Sequence, residues 1–139
     1  MSAPQAPLAA VGDAVVQVLV EDLTRTQIVQ YAGASGDFNA VHTDATYATE
    51  VAGFSGVFAH GMLTMGMTAR IVTDLFGPHR VRSFGGRFVS QVWPGDSLQV
   101  TATVTGIEES DGERRVSLEL RTRRVDADEV FVGMATVAL

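Results

Sequence analysis

The sequence contains no cysteine, and that absence removes disulfides, thiolate metal sites and cysteine nucleophiles together. It contains no lysine either: all ten basic residues are arginine, which excludes Schiff-base chemistry and a P-loop lysine. Against sixteen Asp plus Glu they leave a formal net charge of −6. The chain therefore lacks the basic surplus with which a protein neutralises a nucleic-acid backbone. No apolar run reaches the roughly 18–20 residues a membrane span needs. The stretch Met1 to Ala10 lacks the basic start of a secretory signal, so a cytoplasmic location is expected, with neither nucleic acid nor membrane as partner.

What is present describes a globular protein: 139 residues, 46% apolar and 19% charged. Residues 1–10, rich in Ala and Pro, read as a loose lead-in, and 11–139 as a single domain. Such a chain buries roughly two-thirds of its unfolded surface.

Periodicity orders the elements. From Asp13 to Asp22, Ala14, Val16, Val18 and Val20 share one side, as in a strand. Thr24 with Gln27 has the form of a capping box, so a helix is expected over about Arg25 to Ala34, burying Ile28, Tyr31 and Ala32. Thr43 or Asp44 would cap a second short helix with Tyr47, Ala48 and Val51 on one face and Gly53 at its end. From His60 to about Phe76 runs a helix some 25 Å long, apolar nearly all round and so expected to be buried on most sides. Arg80 to Trp93 reads as strand. Leu98, Val100, Ala102 and Val104, and then Val116, Leu118 and Leu120, alternate with polar residues on either side of the hairpin dipeptide Asp111-Gly112. A last strand is expected over Val130 to Leu139. Short connections imply antiparallel neighbours, and an all-apolar helix needs a wrapper. The expectation is α+β: a curved five-stranded antiparallel sheet wrapped around a long central helix.

Two clusters carry possible chemistry. In Gly36-Asp37-Phe38-Asn39-Ala40-Val41-His42, a carboxylate, an amide and an imidazole lie within one short loop. An Asp beside a His can share and shuttle a proton. Equally, Asp37 and Asn39 are common turn formers, with His42 an ordinary half-buried residue. In Ala59-His60-Gly61-Met62, Gly61 opens a helix whose first N–H groups have no partner, and nothing on it blocks an approaching oxyanion. Close packing of helix against sheet accounts for Gly61 as well. His42, His60 and His79 show no metal-ligand spacing, and the nucleophile elbow and dinucleotide fingerprint are absent. Met62, Met65 and Met67 read as core filler. Arg114, Arg115, Arg121, Arg123 and Arg124 read as a solvated face that could also meet phosphates or an acidic carrier.

Taken together the clusters become specific. Tyr31 to Asp44 resembles the hydratase 2 motif of the MaoC-like family, and Phe58-Ala59-His60-Gly61-Met62-Leu63-Thr64-Met65-Gly66 resembles the segment opening that family's central helix. A looser likeness extends from about Val11 to the C-terminus, including Arg87-Phe88 ahead of Pro94-Gly95-Asp96. These are (R)-specific enoyl-CoA hydratases and (3R)-hydroxyacyl-ACP dehydratases with the hot-dog fold; the catalytic small subunits of mycobacterial hydroxyacyl-ACP dehydratases carry a similar run.

The resemblance implies reversible hydration of a trans-2-enoyl thioester. Asp37 and His42 would be the catalytic dyad, Asn39 would help hold it and the water, and Gly61 would give its N–H to the thioester oxygen. His60, Met62, Phe38 and Ser35 would contact the substrate. It implies no metal and no cofactor beyond coenzyme A or acyl carrier protein as carrier. The alternatives are a hot-dog thioesterase, or the active subunit of a heteromeric dehydratase that is inactive alone. Where the family usually has Pro, this chain has Ala40, which frees the loop without removing a reacting group. An open sheet edge invites pairing, so a homodimer or higher oligomer, or a heterodimer with a second hot-dog subunit, is expected.

Overall fold

The computed structural model describes residues 8–139, so the expected lead-in falls largely on residues 1–7, outside the described ones. Leu8 lies in the core, and the N–H groups of Ala9 and Ala10 donate to the Asp13 carboxylate. In chain order come β1 (Ala14–Val20), α1 (Arg25–Ser35), α2 (Gly61–Phe76), β2 (Val81–Phe88), β3 (Leu98–Ser110), β4 (Glu113–Arg124) and β5 (Glu129–Ala138). Short helical turns occupy Ala40–His42, Tyr47–Val51 and Pro78–Arg80. The sheet order is β1-β3-β4-β5-β2 with every pair antiparallel, and α2 packs against β1, β2, β3 and β5. This is the expected α+β architecture, the hot-dog arrangement.

Local chemistry explains the elements. Thr24 and Gln27 form both bonds of the capping box. Asp111 and Gly112 have φ of 53° and 75°, as a two-residue hairpin with both central residues left-handed requires. The apolar residues of β3 and β4 named above are each at most 1% exposed, so the alternation puts one sheet face wholly in the core. Every neighbouring pair of strands carries a break in register, at Val18/Val20, Val81/Ser83, Val104/Gly106 and Thr122/Arg123. Such bulges bend strands and raise their twist, which lets the sheet curl about the helix. The buried Phe131 ring lies so close over β5 that a Cβ on Gly133 would stand 2.7 Å from it.

Four expectations need correction. Helix α2 is not buried all round: Thr64, Thr68, Ile71 and Val72 face the core, whereas Met62 is 57% exposed and Gly66, Arg70 and Asp74 are open. Thr122 satisfies the buried Thr68 hydroxyl at 2.6 Å, so the helix reaches the sheet through a polar pair as well as apolar ones. The even-numbered residues of β1 do share a side, but Ala14, Val16 and Val18 are on the outer one; Leu19 is the residue buried. The Tyr47–Val51 turn is a π turn, closed by Ala52 N–H to Tyr47 C=O, and its wider pitch leaves Ala48 buried with Tyr47 and Val51 exposed. Strand β2 stops at Phe88 rather than Trp93, because Val89 and Ser90 both donate to the Val130 carbonyl and the chain peels away.

Candidate active site

Successive turns build the loop after α1. Gly36 takes a left-handed φ of 76°, ending the helix and redirecting the chain. The Ser35 hydroxyl then accepts from Asp37 N–H, Asp37 Oδ1 from Asn39 N–H, and Asn39 Oδ1 from Val41 N–H. The turn-forming role open to Asp37 and Asn39 is therefore real, yet it engages only one oxygen of the Asp37 carboxylate. The other, Oδ2, lies 3.9 Å from His42 Nε2. Asp37 is half-exposed and His42 buried, so the pair sits where the interior meets solvent.

The His42 ring is fixed from its far side. Its Nδ1 lies 2.7 Å from the Phe58 carbonyl, which can only accept, so Nδ1 carries a hydrogen, and in the neutral ring Nε2 presents its lone pair towards Asp37. The Phe58 ring meets His42 edge-on at 5.0 Å, and His60 stacks on His42 with centroids 3.8 Å apart. His60 in turn donates Nε2–H to the Asp37 main-chain carbonyl at 2.9 Å.

Gly61 begins α2 with His60 as its N-cap. Neither Gly61 N–H nor Met62 N–H finds an acceptor among the described residues, which leaves two donors at the positive end of a sixteen-residue helix. A cavity of about 310 Å³ opens beside them, walled by Phe58, Gly61, Thr64, Phe88, Gln91 and Val130 among others. Neither Asp37 nor His42 is on its wall; Phe58 and Gly61 join the cavity to the dyad.

This arrangement has known counterparts. The pattern of the MaoC like domain matches residues 7–125. The chain belongs to the MaoC-like family. Over 67 residues, 46% of this chain, it is 39% identical to the 3-hydroxyacyl-thioester dehydratase Y of Mycobacterium tuberculosis, of which 23% is covered. Over 72 residues, 52% of this chain, it is 39% identical to 8% of the peroxisomal hydratase-dehydrogenase-epimerase of Saccharomyces cerevisiae. The chain thus spans less than a quarter of the length of these curated relatives. Among solved structures, the unliganded R-hydratase PhaJ1 of Pseudomonas aeruginosa superimposes with a TM-score of 0.78 at 27% identity, covering 93% of this chain and 81% of that one.

Within this MaoC-like domain the eight candidate residues separate into groups. Asp37, His42 and His60 converge, and Gly61 adjoins His60. Asn39 and Ser35 act on the loop backbone. Phe38 and Met62, 71% and 57% exposed, point outward on this chain. Ala40, where the family usually has Pro, makes no hydrogen bond through its N–H among the described residues, so a ring there would lose none of theirs. The sequence reading missed Phe58, whose carbonyl orients His42, and Phe88, whose ring stands 3.1 Å from where a Cβ on Gly61 would lie. Residue type gives no sign of a main-chain carbonyl's role; only the Phe58–His60 run hinted at it.

Ligand atoms of Asp37, His42 and His60 lie within 4.8 Å of one another, close enough for a metal set. The donor geometry fits poorly: stacked imidazoles direct their in-plane lone pairs side by side instead of towards a common point, and each ring already bonds a carbonyl. Of the hairpin arginines, Arg115, Arg121 and Arg124 are occupied by carboxylates, leaving Arg114 and Arg123 without an ion pair among the described residues. No helix there is long and apolar enough to cross a membrane.

Proposed function

We propose that this MaoC-like domain is a hydro-lyase that reversibly adds water to a trans-2-enoyl thioester, giving the (3R)-hydroxyacyl thioester. The observation that carries the reading is the placing of His42: its ring is pinned through Nδ1 by the Phe58 carbonyl, and Nε2, which in the neutral ring offers a lone pair, lies 3.9 Å from Asp37 Oδ2. A water about 2.8 Å from both atoms fits there, one hydrogen directed at each acceptor. Its oxygen attacks C3, and the C2=C3 electron pair moves through C2 to the thioester oxygen. The unpaired Gly61 N–H stabilises that developing charge. The proton given up by water passes to Nε2 or the carboxylate and on to C2. One O–C and one C–H bond form while one O–H and one π bond break, so the balance closes with water alone. Coenzyme A or acyl carrier protein serves as carrier. Asn39 holds the loop between the dyad members through its bond to Val41 N–H.

A second hot-dog unit, a copy of this chain or a related subunit, belongs to the same reading. Strands β1 and β2 are sheet edges, and an open groove of about 560 Å³ runs along β2 and β5 past Phe84, Arg87 and Met134. Phe38, Met62, Phe88 and Met134 leave 49–71% of their surface uncovered. Light scattering should give at least a dimer; a stable monomer would remove this part.

The test is loss of the enoyl-thioester ultraviolet band when the protein meets crotonyl-CoA, with Asp37→Asn beside it. The wild type should act and the variant should be slower by about a hundredfold or more. Inactivity of the wild type on crotonyl-CoA, longer enoyl-CoA and enoyl-ACP would sink the reading. Release of free thiol would replace it with thioester hydrolysis.

A further inference from the structure

His60 is only 2% exposed, yet Nδ1 of its imidazole is buried with no hydrogen-bond partner among the described residues. An unsatisfied buried polar atom is costly, so the rest of the ring needs a reason to be there. The hydrogen bonds of the loop supply one. Those within residues 35–44 fix the loop's own shape but not its position relative to the start of α2. Among the described residues, two hydrogen bonds cross from residues 36–44 to 54–61, and both come from imidazoles. His42 on the loop donates to the Phe58 carbonyl, and His60 on the helix side donates to the Asp37 carbonyl. The donors lie on opposite segments, and the two rings lie face to face between the bonds at 3.8 Å and 26°. Tyr31 of α1 closes the outer side, meeting His60 edge-on at 4.9 Å.

We propose that His60 is a positioning residue of this site: its Nε2–H bond to the Asp37 carbonyl is one half of a crossed clasp that sets the Asp37 carboxylate against His42. The inference rests on the reading of Asp37 and His42 as the reacting pair. His60 does not meet the substrate in this role. It acts through the Asp37 backbone: with Nδ1 unpartnered among the described residues, the ring's one hydrogen bond there is the one at Nε2. Misplacing a reacting group by about 1 Å can cost about 10²-fold, because proximity and alignment supply much of the rate.

The orphaned nitrogen makes the test discriminating. The amide nitrogen of Gln can take the place of Nε2, whereas the polar end of Asn falls near Nδ1, where nothing bonds. Turnover of crotonyl-CoA and longer trans-2-enoyl-CoA is measured for the wild type, Asp37→Asn, His60→Gln and His60→Asn, with a melting curve for each. His60→Asn should lower kcat by about thirtyfold with KM changed less than about threefold, and His60→Gln should recover to within about fivefold of wild type. Equal losses in both His60 variants, or none in either, overturn the clasp while an inactive Asp37→Asn leaves the dyad standing. A wild type that hydrates nothing overturns the dyad instead. The clasp is then judged on ring nitrogen spectra of the unaltered protein, which also decide if His60→Asn fails to fold. They should show His60 hydrogenated at Nε2 and coupled through that hydrogen to the Asp37 carbonyl carbon; hydrogenation at Nδ1 overturns it.

Discussion

The outer face of the sheet and the loop above α2 treat polar groups in opposite ways. On the sheet, charges answer charges: Arg121 bonds Glu119 and Glu129 at 2.9 and 2.6 Å, and Arg82 and Arg115 both bond Glu113. The Arg82 hydrogen bond holds the Glu113 carboxyl down at about 2 against desolvation, the next largest effect, with the bond from Arg115 and the charges of both arginines adding to it. At the loop, the imidazoles are held by main-chain carbonyls, which fix position and tautomer without a counter-charge. Among the described residues, Asp37 Oδ2, Gly61 N–H and Met62 N–H accept or donate no hydrogen bond. A carboxylate closed by an arginine would be a poor partner for water, so the saturated region serves the surface and the unsaturated one is available for chemistry. Nor does the sheet's stability rest on its ion pairs, since exposed pairs contribute little; it rests on the apolar face beneath.

The contrast predicts that the two regions fail separately. His42→Ala or Asp37→Asn should cost about 10²–10⁴-fold in hydration, roughly 3–5 kcal/mol of barrier. The melting temperature should stay nearly unchanged in Asp37→Asn, whose side chain is half-exposed, and fall in His42→Ala, which removes a buried ring and its bond to the Phe58 carbonyl. Only a few-fold loss in both would erase the distinction. Leu118→Ala acts in the other sense. That side chain is 1% exposed in β4, and its truncation should cost about 2–5 kcal/mol in urea unfolding while the surviving folded protein keeps its turnover. A Leu118 variant that stays stable but turns over slowly would break the separation from the sheet side.

Sequence reading succeeded on the sheet and only in part at the site, for a physical reason. The capping box, the Asp111-Gly112 turn and the alternation in β3 and β4 are set by neighbours a few residues apart, so local residue types determine them. Period-2 spacing identifies which residues of β1 share a side but not which side is covered; Leu19 and the bulge before Val20 decide that. The proximity of Asp37 and His42 could be read because both lie on one loop. Their orientation could not, because it depends on the Phe58 carbonyl and on His60, brought in from a separate segment. The buried face of α2 was likewise overestimated: apolar composition marks what can be covered, and in this chain only the face towards the sheet is.

Gly61 lies between the two regions and sharpens the line. A Cβ there would come within 3.1–3.2 Å of the Phe88 ring, tight contacts that the half-exposed ring can relieve by a small movement. Alanine also favours helix by up to about 1 kcal/mol over glycine, so Gly61→Ala should melt no lower than the wild type. Its N–H survives, but the methyl group intrudes on the cavity wall where the thioester oxygen would approach. Turnover should fall about tenfold. Unchanged turnover together with a lower melting temperature would return Gly61 to a packing role.

The smallest effect lies on the sheet, at Glu113. Its carboxyl titrates at about 2 in the folded protein against an ordinary 4.5, so the folded state favours its ionised form. That preference stabilises the fold fully above 4.5 and is lost as pH falls through about 2, because below both values the group is protonated whether folded or not. The melting temperature of the wild type minus that of Glu113→Gln should therefore be small, constant through neutral pH, and narrow on acidification across that window. High salt should shrink it as well, since both the carboxylate and Arg82 are solvent-accessible. Glu113→Gln should leave hydration of crotonyl-CoA untouched. A difference that grows on acidification would mean that Glu113 is not held ionised by Arg82, and a loss of turnover would mean that the ion-paired face and the site are coupled after all.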